Sequence, residues 1–299
     1  MEAPLAIDGL TKHYGRVAAV RGLTLEVREG EVFGFLGLNG AGKTTTIRVV
    51  LDLLRPTSGR ASIFGFDCQR DGLRARACLG YQPGELGFFD DMTGRQVLDL
   101  LARLQGRPAD FGWRRRLLDR FALGAADQAR PIREYSTGMK RKLAIVQAFQ
   151  HDPTLLVLDE PTEGLDPLMQ EEFYRLLAEV TSRGRTVFLS SHVLSEVERV
   201  CDRVAVLREG ELALLSTIAE LRSLAPRRVR VVFTGRAPKP PTFPPGLVLT
   251  AAGESDWQIQ ADAPLGPVLA ALSGAAIHDV EVHEPRLEDV LAKYYRRVP

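Results

Sequence analysis

The sequence predicts an α/β fold: an N-terminal antiparallel β part, a mostly parallel core sheet, a helical subdomain and a small C-terminal α+β domain. Three observations point there. Short, continuously apolar runs (EVFGFLG, TLLVLDEP, TVFLSSH) alternate with segments of helical period, as expected for parallel strands covered on both faces. The stretch from about Asp90 to Asp152 has helical apolar spacing instead. Beyond it, five prolines between positions 236 and 246 interrupt regular structure, and short strand and helix patterns surround them.

Taken in order, LAIDGL, RVAAV and LTLEV read as short strands broken at Gly9, Gly15, Gly22 and Gly30. EVFGFLG is a buried strand running into a glycine-rich turn. TTTIRVVLDLL has helical length and spacing, and Pro56 lies just past its end. ASIFG, residues 61–65, is a further strand. In the helical stretch, Val97, Leu101 and Leu104 repeat at i, i+4, i+7, and Trp113, Leu117 and Phe121 at i, i+4, i+8. PLMQEEFYRLLAEVTSRG is a helix ending at Gly184, VLSEVERVC a second helix, and RVAVLREGEL a strand pair. VRVVF, DWQIQA, a helix near Leu265 to Leu272, HDVEVH and LEDVLAKYY form the appendage around the proline-rich connection. The expected boundaries are 1–220 for the main domain, with the helical subdomain at about 90–152, and 221–299 for the appendage.

Composition excludes several classes. The 299 residues are 45% apolar and 26% charged, ordinary globular values with enough chain for a sizeable core. The formal charge is +1, and from Arg227 onward nine basic residues face eight acidic ones. Neither part is a basic nucleic-acid arm, so no nucleic-acid partner is expected. Cys68, Cys78 and Cys201 form no CxxC and read as buried thiols in a reducing compartment. No apolar run approaches the roughly 20 residues of a membrane span, so any work at a membrane calls for another chain.

The chemistry begins at Gly37-Leu38-Asn39-Gly40-Ala41-Gly42-Lys43-Thr44-Thr45, which fits GxxxxGK[ST] between a predicted strand and a predicted helix. Glycines let backbone N–H groups turn toward phosphate oxygens, and the helix N-terminus adds partial positive charge. Lys43 has the reach for β- and γ-phosphates, and the Thr44 hydroxyl can ligate Mg²⁺. Downstream, Leu155-Leu156-Val157-Leu158 is an apolar strand ending in Asp159 and Glu160. Parallel sheets place ligand sites at the carboxyl ends of their strands. Asp159 is suited to hold Mg²⁺, and Glu160 to orient or deprotonate an attacking water.

With these motifs in this order, residues 5–215 resemble the nucleotide-binding subunit of ABC transporters. Tyr135-Ser136-Thr137-Gly138-Met139 stands where that family has its LSGGQ signature. Thr162 to Pro167 resembles the D-loop, Leu189-Ser190-Ser191-His192 the switch histidine after its strand, and Tyr14 the aromatic residue that stacks on adenine. The resemblance implies a P-loop ATPase using ATP and Mg²⁺. It implies a head-to-tail homodimer that closes on ATP, each nucleotide lying between one phosphate loop and the partner's signature. Ser136, Thr137 and Gly138 would then serve the γ-phosphate across the dimer, Asp166 would lie at the seam, and His192 would act beside Lys43. Several of these residues also read structurally: Tyr14 as a strand-edge aromatic, Ser136 as an N-cap, His192 as a residue opening the next helix, Asp166 as a helix start before Pro167.

The sequence departs from the family pattern at Leu38, where many members have proline, and at Thr137 and Met139, where the signature has Gly and Gln. A third departure concerns Leu79-Gly80-Tyr81-Gln82-Pro83-Gly84-Glu85. Many members have a metal-sensing Gln just after the proline; here Gly84 takes that place and Gln82 comes two residues early. Gln82 is one candidate metal ligand, and Glu85 is another sensor of Mg²⁺ or water. The segment GELGFFDDMTGRQVLDLLARL, the TEGLDP wording and Glu284-Pro285-Arg286-Leu287-Glu288-Asp289-Val290 resemble the ATPases of bacterial drug and antibiotic exporters with a separate permease chain. That implies a cytoplasmic subunit, peripheral on the inner face of the cell membrane. The alternative is a non-transport ATPase of the same superfamily acting on nucleic acid or the ribosome.

Overall fold

The computed structural model describes residues 2–106, 110–223, 227–262, 264–283, 287, 290 and 291. The chain divides into two compact units, Met1–Ile218 and Ala219–Pro299.

The first unit opens with β1 (Leu5–Tyr14) and β2 (Val17–Val27), an antiparallel pair that joins β4 (Ser58–Ile63) and β5 (Phe66–Asp67) in the order β2-β1-β4-β5. Three short strands were expected before Gly30, but RVAAV and LTLEV are one strand. Gly22 does not break it: its φ is +58°, and the Gly22 N–H donates to the Thr11 hydroxyl at 2.9 Å. Gly9, at φ +56°, likewise donates to Thr24 Oγ1 at 3.0 Å. Register shifts around Gly9 and Leu10 mark an irregular pairing, and the threonines opposite satisfy the displaced N–H groups, so the strands continue.

The core sheet has six strands in the order β10-β9-β3-β8-β7-β6. These are β3 (Val32–Leu36), β6 (Leu79–Gln82), β7 (Leu155–Asp159), β8 (Thr186–Ser191), β9 (Arg203–Arg208) and β10 (Glu211–Thr217). All neighbours are parallel except β10 on β9. Every residue of β3, β7 and β8 is buried, the central apolar runs and the polar Asp159, Thr186, Ser190 and Ser191 at the strand ends alike. Phe33 stacks on Phe188 at 5.9 Å, and Phe35 meets the same ring at 5.1 Å. Helix α1 (Lys43–Val50) packs on β7 of this sheet and on β2 and β4 of the N-terminal sheet, joining both in one core. It is shorter than the apolar pattern suggested, because Asp52 takes a left-handed φ of +59° beyond it. Helix α2 (Gly72–Ala77), too short to show a period, leads into β6.

The helical subdomain contains α3 (Gly94–Leu104), α4 (Phe111–Arg120), α5 (Ala125–Gln128) and α6 (Thr137–Phe149). Thr93 and Gln96 form a capping box that starts α3. Trp113, Leu117 and Phe121 are buried as their spacing predicts, and Trp113 Nε1 donates to Phe149 O at 2.9 Å. Val97 is buried, but Leu104, the last residue of its apolar row, is 74% exposed at the end of α3. Helix α6 also packs against β6: a Cβ on Gly80 would lie 2.2 Å from the Ala148 carbonyl oxygen. Helices α7 (Pro167–Ser182) and α8 (Leu194–Val200) pack on β8 and complete the unit.

Helix α9 (Ile218–Ser223) leads into the second unit, an antiparallel sheet in the order β12-β13-β11-β14. Its strands are β11 (Arg227–Phe233), β12 (Leu247–Ala252), β13 (Asp256–Ala261) and β14 (Ile277–His283), with α10 (Gly266–Ala271) between β13 and β14. Trp257 centres its core, 4.7 Å from the Phe233 ring and 6.4 Å from Phe243 of the proline-rich connection. Residues 236–246 form no strand or helix. Strand β12 had no sequence signal, since LVLTAA abuts the prolines and lacks clean alternation. Of the Glu284–Val290 motif, only Leu287 and Val290 lie within the described residues, and most of LEDVLAKYY lies outside them.

Cys68 and Cys201 are buried, but Cys78 is half-exposed. Burial pushes the Cys68 thiol up to about 12 and the Cys201 thiol up as well. Limited iodoacetamide should therefore modify Cys78 first, read by peptide mass; initial labelling at Cys201 would contradict the packing. Gly80→Ala should destabilise the first unit by about 1–3 kcal/mol, because the added methyl meets backbone. Its denaturation midpoint, compared with that of the parent, checks this.

Candidate active site

Strands β3, β8 and β7 are adjacent and parallel, with Leu36 opposite Ser191 and Asp159 opposite Ser190. Their carboxyl ends therefore deliver three loops to one edge: the phosphate-loop turn, the two acids and the switch histidine.

The turn from Gly37 to Gly42 is shaped by close backbone approach. A Cβ on Gly37 would lie 2.6 Å from Leu207 O. Gly42 has φ +106°, and a Cβ there would lie 2.4 Å from Ala19 O. Leu38, Asn39 and Gly40 form the exposed rim, Ala41 is buried beneath it, and Thr45 is half-buried. Gly42 caps α1 without a side chain, which leaves the first N–H groups of the helix their capacity to bind an anion.

Lys43 opens α1 and is only 6% exposed. Its Nζ donates to Gly37 O at 2.6 Å and lies 3.5 Å from Glu160 Oε1. The other oxygen of that carboxylate, Glu160 Oε2, is 2.9 Å from His192 Nδ1. Glu160 sits at φ +48° just past β7, so its side chain turns off the strand direction into this edge. Its N–H lies 3.2 Å from both the carbonyl and the hydroxyl oxygens of Ser190.

Asp159 is 2% exposed. It accepts hydrogen bonds from the Ser190 hydroxyl and, at 3.3 Å, from Thr44 Oγ1. Burial raises the Asp159 carboxyl above its ordinary range, the Ser190 bond opposes this, and the Glu160 charge adds to it. A buried carboxylate beside a second acid favours a cation. Thr44 Oγ1 and Asp159 Oδ2 are hard oxygen donors of the kind Mg²⁺ takes. Among the described residues no three His, Cys, Asp or Glu side chains gather to cage a metal. This donor set fits a Mg²⁺ completed by substrate phosphates rather than an all-protein site.

The other expected residues lie around this centre. Tyr14 is 48% exposed at the tip of the β1–β2 hairpin, with Lys12 Nζ 5.4 Å above its ring; Ala19, which touches Gly42, lies farther along the same hairpin. Ser136 caps α6 and accepts from Met139 N at 3.2 Å. Thr137 and Gly138 of the first turn pack against the 163–166 turn, where Gly164 O lies 3.3 Å from a Cβ placed on Gly138. Asp166 caps α7 by accepting from Met169 N at 3.0 Å and is exposed. Within one chain, then, Lys43, Thr44, Asp159, Glu160 and His192 converge, while Ser136–Gly138 and Asp166 form a separate exposed corner.

Gln82 ends β6 opposite Leu158 and is fully buried. Its Nε2 donates to Pro161 O at 3.3 Å, and its Oε1 has no partner. Gly84 adjoins the acids: a Cβ there would lie 3.3 Å from Asp159 Oδ2. Sequence reasoning missed Ser190 as the residue that holds both acids; the serines preceding His192 were its only signal. It also missed Glu196, whose Oε2 accepts from Thr162 Oγ1 at 2.8 Å and from Ser191 Oγ at 3.4 Å.

The backbone makes unequal demands on the two loop glycines. Gly42→Ala should lower both the unfolding midpoint and nucleotide affinity more than Gly40→Ala, whose Cβ enters open space although both carry positive φ. Equal effects in thermal denaturation and nucleotide titration would count against this cradle geometry.

A family model described as ABC transporter matches residues 20–163. The chain is 37% identical over 223 residues to the bacitracin transport ATP-binding protein BcrA of Enterococcus faecalis, covering 74% of this chain and 71% of that protein. It is 39% identical over 225 residues to the daunorubicin/doxorubicin resistance ATP-binding protein DrrA of Streptomyces peucetius, covering 72% and 66%. The solved ATP-binding subunit of an ABC transporter matches at 31% identity and TM-score 0.68, covering 73% of this chain and 91% of that one. A dimeric post-hydrolysis cassette bound to ADP and Pi matches at TM-score 0.65 and 22% identity, covering 72% and 98%, which is a likeness of fold.

Proposed function

This chain belongs to the family of ABC transporter ATP-binding subunits, and on that premise we propose that it powers export through a separate membrane permease, working as an ATP-closed homodimer. It is an ATPase. One observation supports the catalytic assignment above the others: Glu160 lies between Lys43 Nζ at 3.5 Å and His192 Nδ1 at 2.9 Å, on the edge where the phosphate turn opens.

In this reading the backbone N–H groups of 37–45 and Lys43 hold the phosphates of ATP, and Tyr14 stacks on its adenine. Thr44 and Asp159 would hold the Mg²⁺ that accompanies ATP, with Gln82 a further candidate ligand; the ion would neutralise developing phosphate charge. Lys43 exchanges its Glu160 contact for phosphate oxygens, which frees that carboxylate to take a proton from water. As the water oxygen bonds to the γ-phosphorus, the bond to the β–γ bridging oxygen breaks, giving ADP and phosphate. His192, on the far carboxylate oxygen, fixes the orientation of Glu160 and faces the γ-phosphate. The exposed corner of Ser136, Thr137 and Gly138 serves the nucleotide of the second subunit, with Asp166 at the seam.

Among the described residues no helix is long and apolar enough to cross a membrane. Support for a permease partner comes from the surface beside β6. An apolar groove of about 360 Å³ runs beside β6, walled by Tyr81, Pro83 and Phe89, with Leu53 and Phe89 mostly exposed. Gly84, adjoining that wall, touches Asp159. A permease segment pressed into the groove would bear on the nucleotide edge at the inner face of the membrane. The relatives named for bacitracin transport and daunorubicin resistance support export.

Glu160→Gln should keep ATP binding, lose about 10²–10⁴-fold in hydrolysis and accumulate as an ATP-bound dimer. ATPase assays with light scattering check this, and hydrolysis at the parent rate would reassign the base. Lys43→Ala should weaken nucleotide binding itself, read by titration with a fluorescent ATP analogue. Phe89→Asp should prevent recovery with the membrane fraction in cells that co-express a cognate permease.

A further inference from the structure

Arg141 lies one turn into α6 and belongs to none of the motifs above. It is 4% exposed, and its guanidinium ties α6 to two other segments. Nε donates to Glu163 O at 2.9 Å, Nη1 to Pro83 O at 3.2 Å and Nη2 to Gly84 O at 3.0 Å; Nη2 also lies 3.5 Å from the Glu163 carboxylate. A buried guanidinium is costly unless its donors are matched, and the fixed fork of five N–H groups can match acceptors from several loops at once. Each bonded segment has a place in the site. Gly84 rests against Asp159, Glu163 adjoins the Gly164 turn on which Gly138 packs, and α6 itself begins at Ser136.

We propose that Arg141 is a positioning residue that couples the two nucleotide sites of the dimer: it ties the signature end of α6, which serves the partner's ATP, to the 83–84 loop beside this subunit's own Asp159. The coupling rests on the dimeric reading given above; the tie lies within one chain. Because α6, the 83–84 loop and the 163–166 turn share one guanidinium, none can shift without breaking a hydrogen bond or moving the others. Lysine keeps the charge but has a single ammonium in place of the fork, and cannot hold Pro83 O, Gly84 O and Glu163 O in the same geometry.

Arg141→Lys and Arg141→Gln should therefore act alike. Steady-state ATP hydrolysis is expected to lose about tenfold in kcat, with a Hill coefficient near 2 falling to about 1. Affinity for a fluorescent ATP analogue in the isolated chain should stay within about twofold, since the 37–45 cradle is untouched. Amide exchange in monomeric protein should quicken at residues 83–89 and not in β3 or α1. Parent-like kinetics and exchange in Arg141→Lys would overturn the tie, because charge alone would then suffice. Loss of nucleotide affinity in step with kcat would overturn it too, as general damage. If Arg141→Gln fails to fold, Arg141→Lys decides alone. If the parent itself hydrolyses ATP without cooperativity and never dimerises, the dimeric reading fails, while exchange at 83–89 still decides whether Arg141 holds the loop.

Discussion

The parallel alignment of β3, β8 and β7 is the constraint on which the rest of this protein depends. Three strands buried on both faces must run side by side and in the same direction for their loops to meet. Residues as distant in sequence as Lys43, Glu160 and His192 then come within about one side chain of each other without any long-range steering. The aromatic contacts of Phe33, Phe35 and Phe188 tie β3 to β8. Helix α1 secures it from one face by packing on both sheets. The precision of the candidate site is thus a by-product of apolar packing, and the polar residues sit at the ends of elements positioned for other reasons.

Electrostatics at that edge is local. The chain carries a net charge of only +1, so no broad positive field draws in a polyanion. Lys43, glycine-shaped backbone and a helix N-terminus concentrate positive potential at one turn, and Asp159 and Glu160 lie opposite. Burial raises the Asp159 carboxyl, and the Ser190 and Thr44 hydroxyls oppose this only in part. That arrangement disfavours the bare carboxylate and favours one neutralised by a cation, as a site for a metal–nucleotide complex requires.

The exposed corner of the molecule follows a different logic. Ser136 and Asp166 both satisfy helix N-termini through their own side chains, so each has a complete structural role inside a single chain. Their exposure, and the packing of Gly138 on Gly164, make a firm surface from residues whose proposed work lies on another subunit. Arg141 stands behind that corner and reaches the loop beside Asp159. Its hydrogen bonds link that corner to the 83–84 loop within one chain.

The sequence alone determined what depends on local period and on residue type at fixed spacing. Buried strands were legible because β3 and β7 are apolar up to the site and β8 carries the apolar run Val187 to Leu189, and the phosphate turn because glycine, lysine and threonine stand at the required intervals. Asp159 and Glu160 were legible because they end such a strand. What it misplaced or left silent depends on partners far along the chain. Gly22 reads as a break until Thr11 accepts its N–H across the hairpin. β12 has no pattern of its own and exists through pairing with β13. That Gly84 adjoins Asp159 and that Gln82 pairs opposite Leu158 follow from the register of β6 against β7, which no single segment encodes. Ser190 and Arg141 look ordinary in sequence, because hydrogen bonds across 31, 57 and 58 positions are set only when the sheet is assembled. Propensity and motif act along the chain; the satisfaction of buried polar groups acts through space, and only the tertiary structure decides it.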